Sequence, residues 1–443
     1  MEKIVSLAKR RGYVFQSSEI YGGLNGCWDY GPLGVELLRN IKESWWRAMT
    51  LREDIEGIDA SILMHPRVWE ASGHVENFTD PMVDCRECKA RFRADQVGDA
   101  ACGSPAYRNR PASRCQAEGK FTEARRFNLM FRTFIGPVED STAAVYLRPE
   151  TAQGIYVNFL NVQSASRQRP PFGIAQIGKA FRNEINTKNF LFRTREFEQM
   201  EMQYFVPPGT DERHFVYWKE ERFRWFQSLG MTPAKMRFHQ HGAGELAHYA
   251  RDAYDIEYEF PFGWGEIEGI HNRGDYDLSR HEQYSGKAMK YFDEQTKEKY
   301  TPLVIETSAG ASRSFMAFLV DAYREEQAPS AEGKMETRVV LGLHPRLAPV
   351  KAAVFPLVNR DGMPEIARAI TAAMRGHFRV FYDDSGAVGR RYRRQDEAGT
   401  PFCITVDSTT LEDGTVTVRE RDSMRQERVS RDAVTAFVGE RIV

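Results

Sequence analysis

The residues best able to do chemistry fall in two segments. In the first, Phe181-Arg182-Asn183-Glu184 closes one short apolar run and Phe192-Arg193-Thr194-Arg195-Glu196-Phe197 opens the next, with a polar, basic connection between them. Arginines held by a strand and a loop grip phosphate oxygens through a planar fork, and a neighbouring aromatic ring stacks a base. The same composition also describes a surface hairpin laced with ion pairs, and the residues alone leave both readings open. In the second, Glu306-Thr307-Ser308-Ala309-Gly310-Ala311-Ser312-Arg313 lies between an apolar strand-like run and a helix-like one. Small residues let a ligand approach the backbone, and an arginine in a first helical turn adds charge to exposed N–H groups. Taken alone that signal is weak, because strand-to-helix turns often look like this.

Three other clusters carry a possible function beside an ordinary one. Cys85 and Cys88 form a two-residue knuckle, with Cys102 and Cys115 further on. Four thiolates are enough for a structural Zn²⁺, whereas free cysteines in a variable insertion fit equally, because Cys115 is followed three places on by Glu118 and not by a second knuckle. His239 and His241, one residue apart with no acid beside them in sequence, read as polar contacts before they read as metal ligands. Arg390-Arg391-Tyr392-Arg393-Arg394 is the strongest basic patch, either an RNA contact or a solvated helix face.

The elements that must position these groups follow from periodicity. Val35, Leu38, Ile41, Trp45 and Met49 recur at three- and four-residue steps and predict a helix from Gly34 to Met49. Ile55 to Leu63 predicts a strand, with Pro66 as a turn before Val68-Trp69-Glu70. Residues 84–120 lose apolar periodicity and read as an insertion. From Phe127 to Phe205 short apolar runs separated by turn residues predict antiparallel strands. Val304-Ile305-Glu306 reads as a strand, Gly310 as a turn, and Phe315 to Tyr323 as a buried helix. The spacing of Trp45-Trp46 and of Phe315 to Phe318 assigns those aromatics to helical core. After His344-Pro345 the pattern is strand (352–358), helix (364–375), strand (378–382), helix (386–396), strand (402–406), a hairpin at Asp413-Gly414, strand (415–419) and helix (428–438), which predicts a separate α/β domain.

Composition bounds the rest. With 42% hydrophobic and 28% charged residues over 443 positions, the chain has the makings of two or three folded domains. A formal net charge of -1 gives no whole-molecule attraction to nucleic acid or membrane. No signal-like or membrane-length apolar stretch occurs, and six cysteines are too few for a secreted disulfide framework, so a cytoplasmic protein without membrane contact is expected.

Together the two segments resemble motifs 2 and 3 of the class II aminoacyl-tRNA synthetases, and Ile58 to His74, with Pro66 and Trp69-Glu70-Ala71-Ser72-Gly73-His74, is similar to their dimer-forming motif 1. Arg148-Pro149-Glu150-Thr151-Ala152-Gln153-Gly154, Phe197-Glu198-Gln199-Met200-Glu201, Asn272-Arg273-Gly274-Asp275-Tyr276 and His344-Pro345-Arg346-Leu347-Ala348-Pro349 resemble the homodimeric glycyl-tRNA synthetases in particular. The match runs from about residue 8 to residue 440.

That resemblance implies an α+β catalytic domain built on an antiparallel sheet flanked by helices, with motif 1 in residues 1–83, a cysteine-bearing insertion at 84–120, motifs 2 and 3 in 121–346, and an α/β anticodon-binding domain at 347–443. It implies attachment of glycine to tRNA(Gly) through a glycyl-adenylate, using ATP and Mg²⁺, by a homodimer. ATP would contact Arg182, Asn183 and Glu184, the run Phe192, Arg193, Thr194, Arg195, Glu196 and Phe197, then Glu266 and Ile267, and finally Gly310, Ala311, Ser312 and Arg313. Within this set Arg182 would hold the α-phosphate, Arg313 the outer phosphates and Phe197 the adenine face, with Glu184 near the base and Glu266 and Glu306 as Mg²⁺ contacts. Glycine would meet Arg93, Glu150, Phe197, Glu198, Gln199, Met200, Glu201, Arg273, Glu306, Thr307, Ser308, Ala309 and Gly310, and a larger amino acid would clash with the packed carboxylates. Arg182, Glu306 and Arg313 form the implied catalytic set, and Cys85, Cys88, Cys102 and Cys115 the zinc set. Thr307, Ser312 and Gly274 stand where the family usually has proline, an acid and threonine, and none of these changes removes a charge from the reaction.

Two other functions share this architecture. A nucleic-acid-binding accessory subunit that has lost catalysis would be expected to lack Arg182 or Arg313. A ligase that acts on something other than tRNA would have no use for an anticodon-binding domain.

Overall fold

The helix Gly34–Thr50 (α1) forms where periodicity places it, but Leu37 and not Val35 completes its buried stripe with Leu38, Ile41, Trp45 and Met49; Val35 is exposed. The reason is angular, since Leu37 stands four residues before Ile41 and Val35 six. Each such side chain contributes roughly 1.5–3 kcal/mol on burial. The chain is described by a computed structural model that covers residues 1–94, 97, 112–113, 118–137, 139–140, 142–187, 189–242, 244–247, 249–329 and 334–442. Cys102 and Cys115 lie outside the described residues.

The central element is a seven-stranded sheet. Its strands are Ile55–Gly57 (β1), Phe172–Phe181 (β2), Glu196–Val206 (β3), Met236–Gln240 (β4), Asp252–Phe260 (β5), Gly263–Gly274 (β6) and Leu303–Gly310 (β7), in the order β4-β5-β6-β7-β3-β2-β1. All neighbours are antiparallel except the edge pair β1 and β2. One face packs on α1, on Asp211–Ser228 (α3) and on the almost wholly buried Ala311–Ala322 (α5). The other face carries the cavity described below. Pro66 does not make a turn: it is the first residue of the helix Pro66–Ala71 (α2), where its missing N–H leaves no helical bond unmade. No described helix is long and apolar enough to cross a membrane.

A second core, around Val354, Ile370, Ile404, Val418 and Val434, belongs to residues 352–442. There Ala352–Pro356 (β8), Val380–Tyr382 (β9), Phe402–Val406 (β10), Thr415–Glu420 (β11) and Gln426–Ser430 (β12) form a mixed sheet in the order β9-β8-β10-β11-β12, with helices Met363–Arg375 (α6) and Val388–Glu397 (α7). Two expectations fail here. The stretch before Asp413-Gly414 is a short helix, Ser408–Asp413, whose N-cap Asp407 exchanges bonds with Thr410 and whose end is the left-handed Gly414. The expected helix at 428–438 begins as the edge strand β12, with Val429 opposite Val416, and turns helical only at Val434–Gly439.

The basic run on α7 is also corrected. Arg391 is buried, its guanidinium donating to the carbonyls of Gly386 (Nη2, 2.6 Å), Asp384 (3.1 Å) and Pro356. Arg394 is paired with Asp383 at 2.6 Å and Arg393 with the buried Asp396 at 3.3 Å. Of the four, Arg390 is the exposed one. Arg391→Ala is therefore expected to destabilise the domain by about 1.5–3 kcal/mol, the range for bonds to a charged group, in urea unfolding, whereas Arg390→Ala leaves the midpoint unchanged. Equal midpoints for both variants would contradict this.

Several hydrogen bonds tie the two cores together at their joint. Tyr13 Oη donates to Ala398 O (3.0 Å), Asn40 Nδ2 to Leu347 O and Ala348 O (3.0 and 3.1 Å), and Arg11 Nε to Glu397 (2.7 Å). Arg338, wholly buried, donates to Asp396 at 3.1 Å, and Arg419 reaches both oxygens of Asp396 at 2.9 and 3.2 Å.

Candidate active site

Strand pleat decides which residues meet. Phe197, Gln199 and Glu201 on β3 and Glu306, Ser308 and Gly310 on β7 alternate onto one face, with Glu201 opposite Ser308 and Gln203 opposite Glu306. On β6 a bulge at Ile267, which has no partner opposite β5, breaks the alternation and lets Glu266 share that face with Gly269 and His271. These residues line a cavity of about 270 Å³ together with Glu150, Arg182, Glu184, Phe192, Arg193, Thr194, Ser312 and Arg313. Glu150 and Glu201 thus stand in one cavity with Arg182 and Arg313.

Both arginines are held in the same way. Arg182 donates Nε to Pro149 O at 3.0 Å, and its guanidinium lies 5.2 Å from the Phe197 ring and 5.5 Å from that of Phe78. Arg313, in the first turn of α5, donates Nε to Phe192 O at 3.0 Å and Nη1 to Glu266 Oε2 at 2.8 Å, over the Phe192 ring at 4.4 Å. A planar cation fixed at Nε and flanked by rings keeps its outer N–H groups in a set direction. Among the described residues the two Nη atoms of Arg182 have no protein acceptor. Glu184 stands 3.8 Å from Arg193.

Deeper in, three carboxylates converge. Glu306 accepts from Gln203 Nε2 (2.7 Å) and Arg273 Nη1 (3.1 Å) on one oxygen and meets His271 Nδ1 (2.8 Å) on the other. Arg273 is itself fixed by a bidentate pair with Asp277 (2.7 and 2.9 Å) and by the Tyr249 ring at 3.7 Å. Glu150 accepts from Gln153 at 2.9 Å and lies 3.4 Å from His74. Glu201 accepts from Gln203 at 3.0 Å and from the Thr151 hydroxyl. Burial raises the pKa of all three. For Glu150 the neighbouring His74 and Arg273 outweigh it and hold the acid well below the usual carboxylate range, and for Glu306 the charge of Arg273 and the His271 contact hold it at about 2. For Glu201, burial and then the charges of Glu306 and Glu150 outweigh the Thr151 hydroxyl and Arg273 and push it well above its ordinary value.

Several expected contacts lose their side chains to other duties. Met200, Ala309 and Ile267 are buried in the helix-facing core, because they fall on the opposite phase of the pleat or on the bulge, and Ala311 is buried there as the first residue of α5. Thr307 is in that phase too, with a buried hydroxyl that has no partner. Glu198 turns to Lys42 (2.9 Å) and Glu196 to Lys179 (2.7 Å). Arg195 donates to Glu184 O (2.9 Å) and Asn25 O, and Arg93 pairs with Asp80 at 3.0 Å away from the cavity wall. Cys85 is buried beside Val83 and Phe92, Cys88 is packed against that cluster, and no group of three or more His, Cys, Asp or Glu among the described residues could hold a metal.

Other residues meet at the site with no signal in the sequence. His74, read as part of a dimer motif, faces Glu150; Gln203 bridges Glu201 and Glu306; His241, without an acid nearby in sequence, meets Asp255 across the β4–β5 pairing at 2.9 Å, and both line the cavity with Tyr249.

An antiparallel sheet that carries two ring-backed arginines and a carboxylate pocket on one face, with a strand-to-helix turn at Arg313, defines a class II aminoacyl-tRNA synthetase core. In agreement, residues 134–323 match the family described as tRNA synthetase class II core domain (G, H, P, S and T), and residues 351–441 the anticodon binding domain. The chain is 58% identical to the glycine–tRNA ligase of Treponema denticola over 97% of its length and 94% of the relative's, and 57% identical to that of Borreliella burgdorferi over the same shares. It is 53% identical to the Streptomyces coelicolor glycine–tRNA ligase over 100% of its length and 98% of the relative's. The chain belongs to the glycine–tRNA ligase family.

Proposed function

We propose that the chain attaches glycine to tRNA in two steps at this cavity. The observation that carries the reading is the joining of three carboxylates to two ring-backed arginines in one small space. A carboxylate of glycine attacks the α-phosphorus of ATP, the bond to the β-phosphate oxygen breaks and pyrophosphate leaves. A terminal ribose hydroxyl of tRNA then attacks the glycyl carbonyl, loses its proton, and AMP departs. Arg182 receives the α-phosphate and Arg313 the outer phosphates, so that charge is met by groups already oriented. Glu266, with one oxygen on Arg313, fits a Mg²⁺ contact, and the ion supplies further neutralisation of phosphate charge when bound. Glu150, Glu201 and Glu306 face the ammonium of glycine, and they leave no room for a side chain. Cys85 and Cys88 supply half of a zinc set, and no step depends on it.

On this reading the chain divides into a catalytic body at 1–83 and 121–346, an insertion at 84–120 and an anticodon-binding domain at 347–443, working in the cytoplasm. A homodimer is favoured by an apolar groove of about 420 Å³ beside α2, lined among others by Val68, Ala71, Val157, Leu160 and Met289, which a second copy would cover. Incubation with tRNA, ATP and labelled glycine is expected to give an alkali-labile glycyl ester at the tRNA 3′ end, and failure to form it would refute the function.

A second outcome follows from the opposed titrations of the carboxylates. Glu201 holds its proton to higher pH than Glu150 and Glu306 do, and an arriving ammonium favours its ionisation. Glycine binding is expected to release protons over the range in which Glu201 titrates, read by calorimetry in buffers of different ionisation enthalpy. Because the folded pKa of Glu201 lies above its unfolded one, this group costs stability as pH rises from the unfolded value towards the folded one. Glu201→Gln should therefore raise the Tm of the empty protein at neutral pH while abolishing glycine binding. Heats that do not change with buffer would overturn this account of Glu201.

A further inference from the structure

Between the hairpin strands Val14–Gln16 and Trp28–Tyr30 runs a ten-residue loop, Ser17 to Gly26, that shows two large apolar side chains to solvent: Ile20 is 89% and Tyr21 88% exposed. A floppy loop would explain this, but this one is built to hold its shape. Its ends are closed by Ser17 N–H to Cys27 O (3.2 Å) and Leu24 N–H to Ser17 O (3.0 Å), and its tip by Tyr21 N–H and Gly23 N–H to Ser18 O (2.9 and 3.1 Å). Ser18, Gly22, Gly23 and Gly26 all take left-handed backbone, an arrangement that glycine accepts and other residues resist. A compact loop with close ends and fixed backbone is a device for presenting side chains.

What it presents them to is set by its attachment. The Gly26 carbonyl accepts from Arg195 N–H at 2.8 Å, the Asn25 carbonyl from the Arg195 guanidinium, and Asn25 Oδ1 from the Thr187 hydroxyl at 2.9 Å. At Gly26 an added Cβ would stand 2.2 Å from Thr187 Cγ2, so only glycine allows this approach. The same guanidinium donates Nε to Glu184 O at 2.9 Å, and Glu184 lines the cavity. One arginine therefore ties the loop to the wall of the active site. The indole of Trp28, just past the loop, packs edge-on against Phe190 at 4.8 Å with Lys9 Nζ 5.9 Å from its ring.

We infer that the Ser17 to Gly26 loop is a stacking platform for an unpaired base of the incoming RNA strand, with Tyr21 as the aromatic face and Ile20 as its apolar flank. This rests on the two-step reading above, since the second step needs a single-stranded RNA end at the cavity. Bases of unpaired RNA are gripped by exposed rings because every base has a flat apolar face. The other occupant of an exposed apolar tip, a second copy of this chain, is disfavoured by continuity, because the loop is joined to the cavity wall and shares no residue with the groove beside α2.

The experiment compares wild type, Tyr21→Ala and Tyr21→Trp as full chains. Glycine-dependent pyrophosphate exchange, which needs no RNA, should be the same in all three. Tyr21→Ala should weaken tRNA binding and raise the tRNA KM about tenfold, as loss of one stacked base does, and Tyr21→Trp should restore both. With tRNA lacking its unpaired 3′ nucleotides, wild type and Tyr21→Ala should bind alike. A 2-aminopurine placed in that end should be quenched by wild type and Tyr21→Trp but not by Tyr21→Ala. The inference is overturned if Tyr21→Ala charges tRNA normally, if its deficit persists with the truncated tRNA, or if the variant instead shifts sedimentation from dimer to monomer. Loss of glycine-dependent exchange in the wild type itself would strike the proposed function and not the platform.

Discussion

Arg313→Ala is expected to lower kcat/KM for glycine-dependent ATP–pyrophosphate exchange by about 10²–10³, the range for loss of one preorganised donor at a developing charge. The size follows from how the side chain is held. Its Nε on Phe192 O, its Nη1 on Glu266 and the Phe192 ring beneath it fix the guanidinium before ATP arrives. Little of the transition-state contact is then lost in ordering the side chain. Arg313→Lys should recover little, because an ammonium neither forks nor stacks as a guanidinium does. The side chain is about one-quarter exposed, so Tm should move little in either variant. Exchange within threefold of wild type would remove Arg313 from the chemistry.

The second large effect is on stability and lies far from the cavity. Asp396 is fully buried and is the shared partner of Arg338, on the strand Met335–Leu341, and of Arg419 and Arg393, from its own domain. Removing its charge leaves the buried Arg419 without its carboxylate partner and Arg338 with Glu326 alone. Breaking such an arrangement from one side costs about 3–5 kcal/mol, more than an intact buried pair contributes. Asp396→Asn keeps the shape and is expected to lower the Tm by on the order of 10 °C, whereas Asp432→Asn, at a 91% exposed position, leaves it unchanged. Limited proteolysis should show the two bodies separating early in the Asp396 variant. A Tm drop below about 2 °C would mean that the joint does not depend on this cluster.

The charged residues of the cavity were legible in the sequence because their chemistry is written in their type: Arg182, Arg313, Glu150, Glu201 and Glu306 meet as the spacing and resemblance implied. Contiguous strings such as Phe197 to Glu201 were less informative. A strand turns only every second residue towards a ligand, so Met200 went to core and Glu198 to Lys42, and at Ile267 a bulge shifted the phase itself. Partnerships across strands were invisible. Nothing near His241 announces Asp255, and nothing near Glu306 announces Gln203 or His271. The basic run on α7 misled for a related reason, since four cations in a row look solvated until the carbonyls of Pro356, Asp384 and Gly386 are brought over Arg391 by the sheet. Pro66 and Asp407 show that a residue able to end one element is often the one that starts the next.

The claim on which the rest depends is that the carboxylate pocket accepts an amino acid with no side chain. On the proposed reading a methyl or hydroxymethyl group would meet Glu150, Glu201 and Glu306, two of which are held in place by Gln203 and Thr151. The most direct test is ATP–pyrophosphate exchange by the purified protein with glycine, alanine and serine in turn. Exchange with glycine and at least a hundredfold less with the other two is the expected result. Exchange with alanine or serine but not with glycine would contradict it.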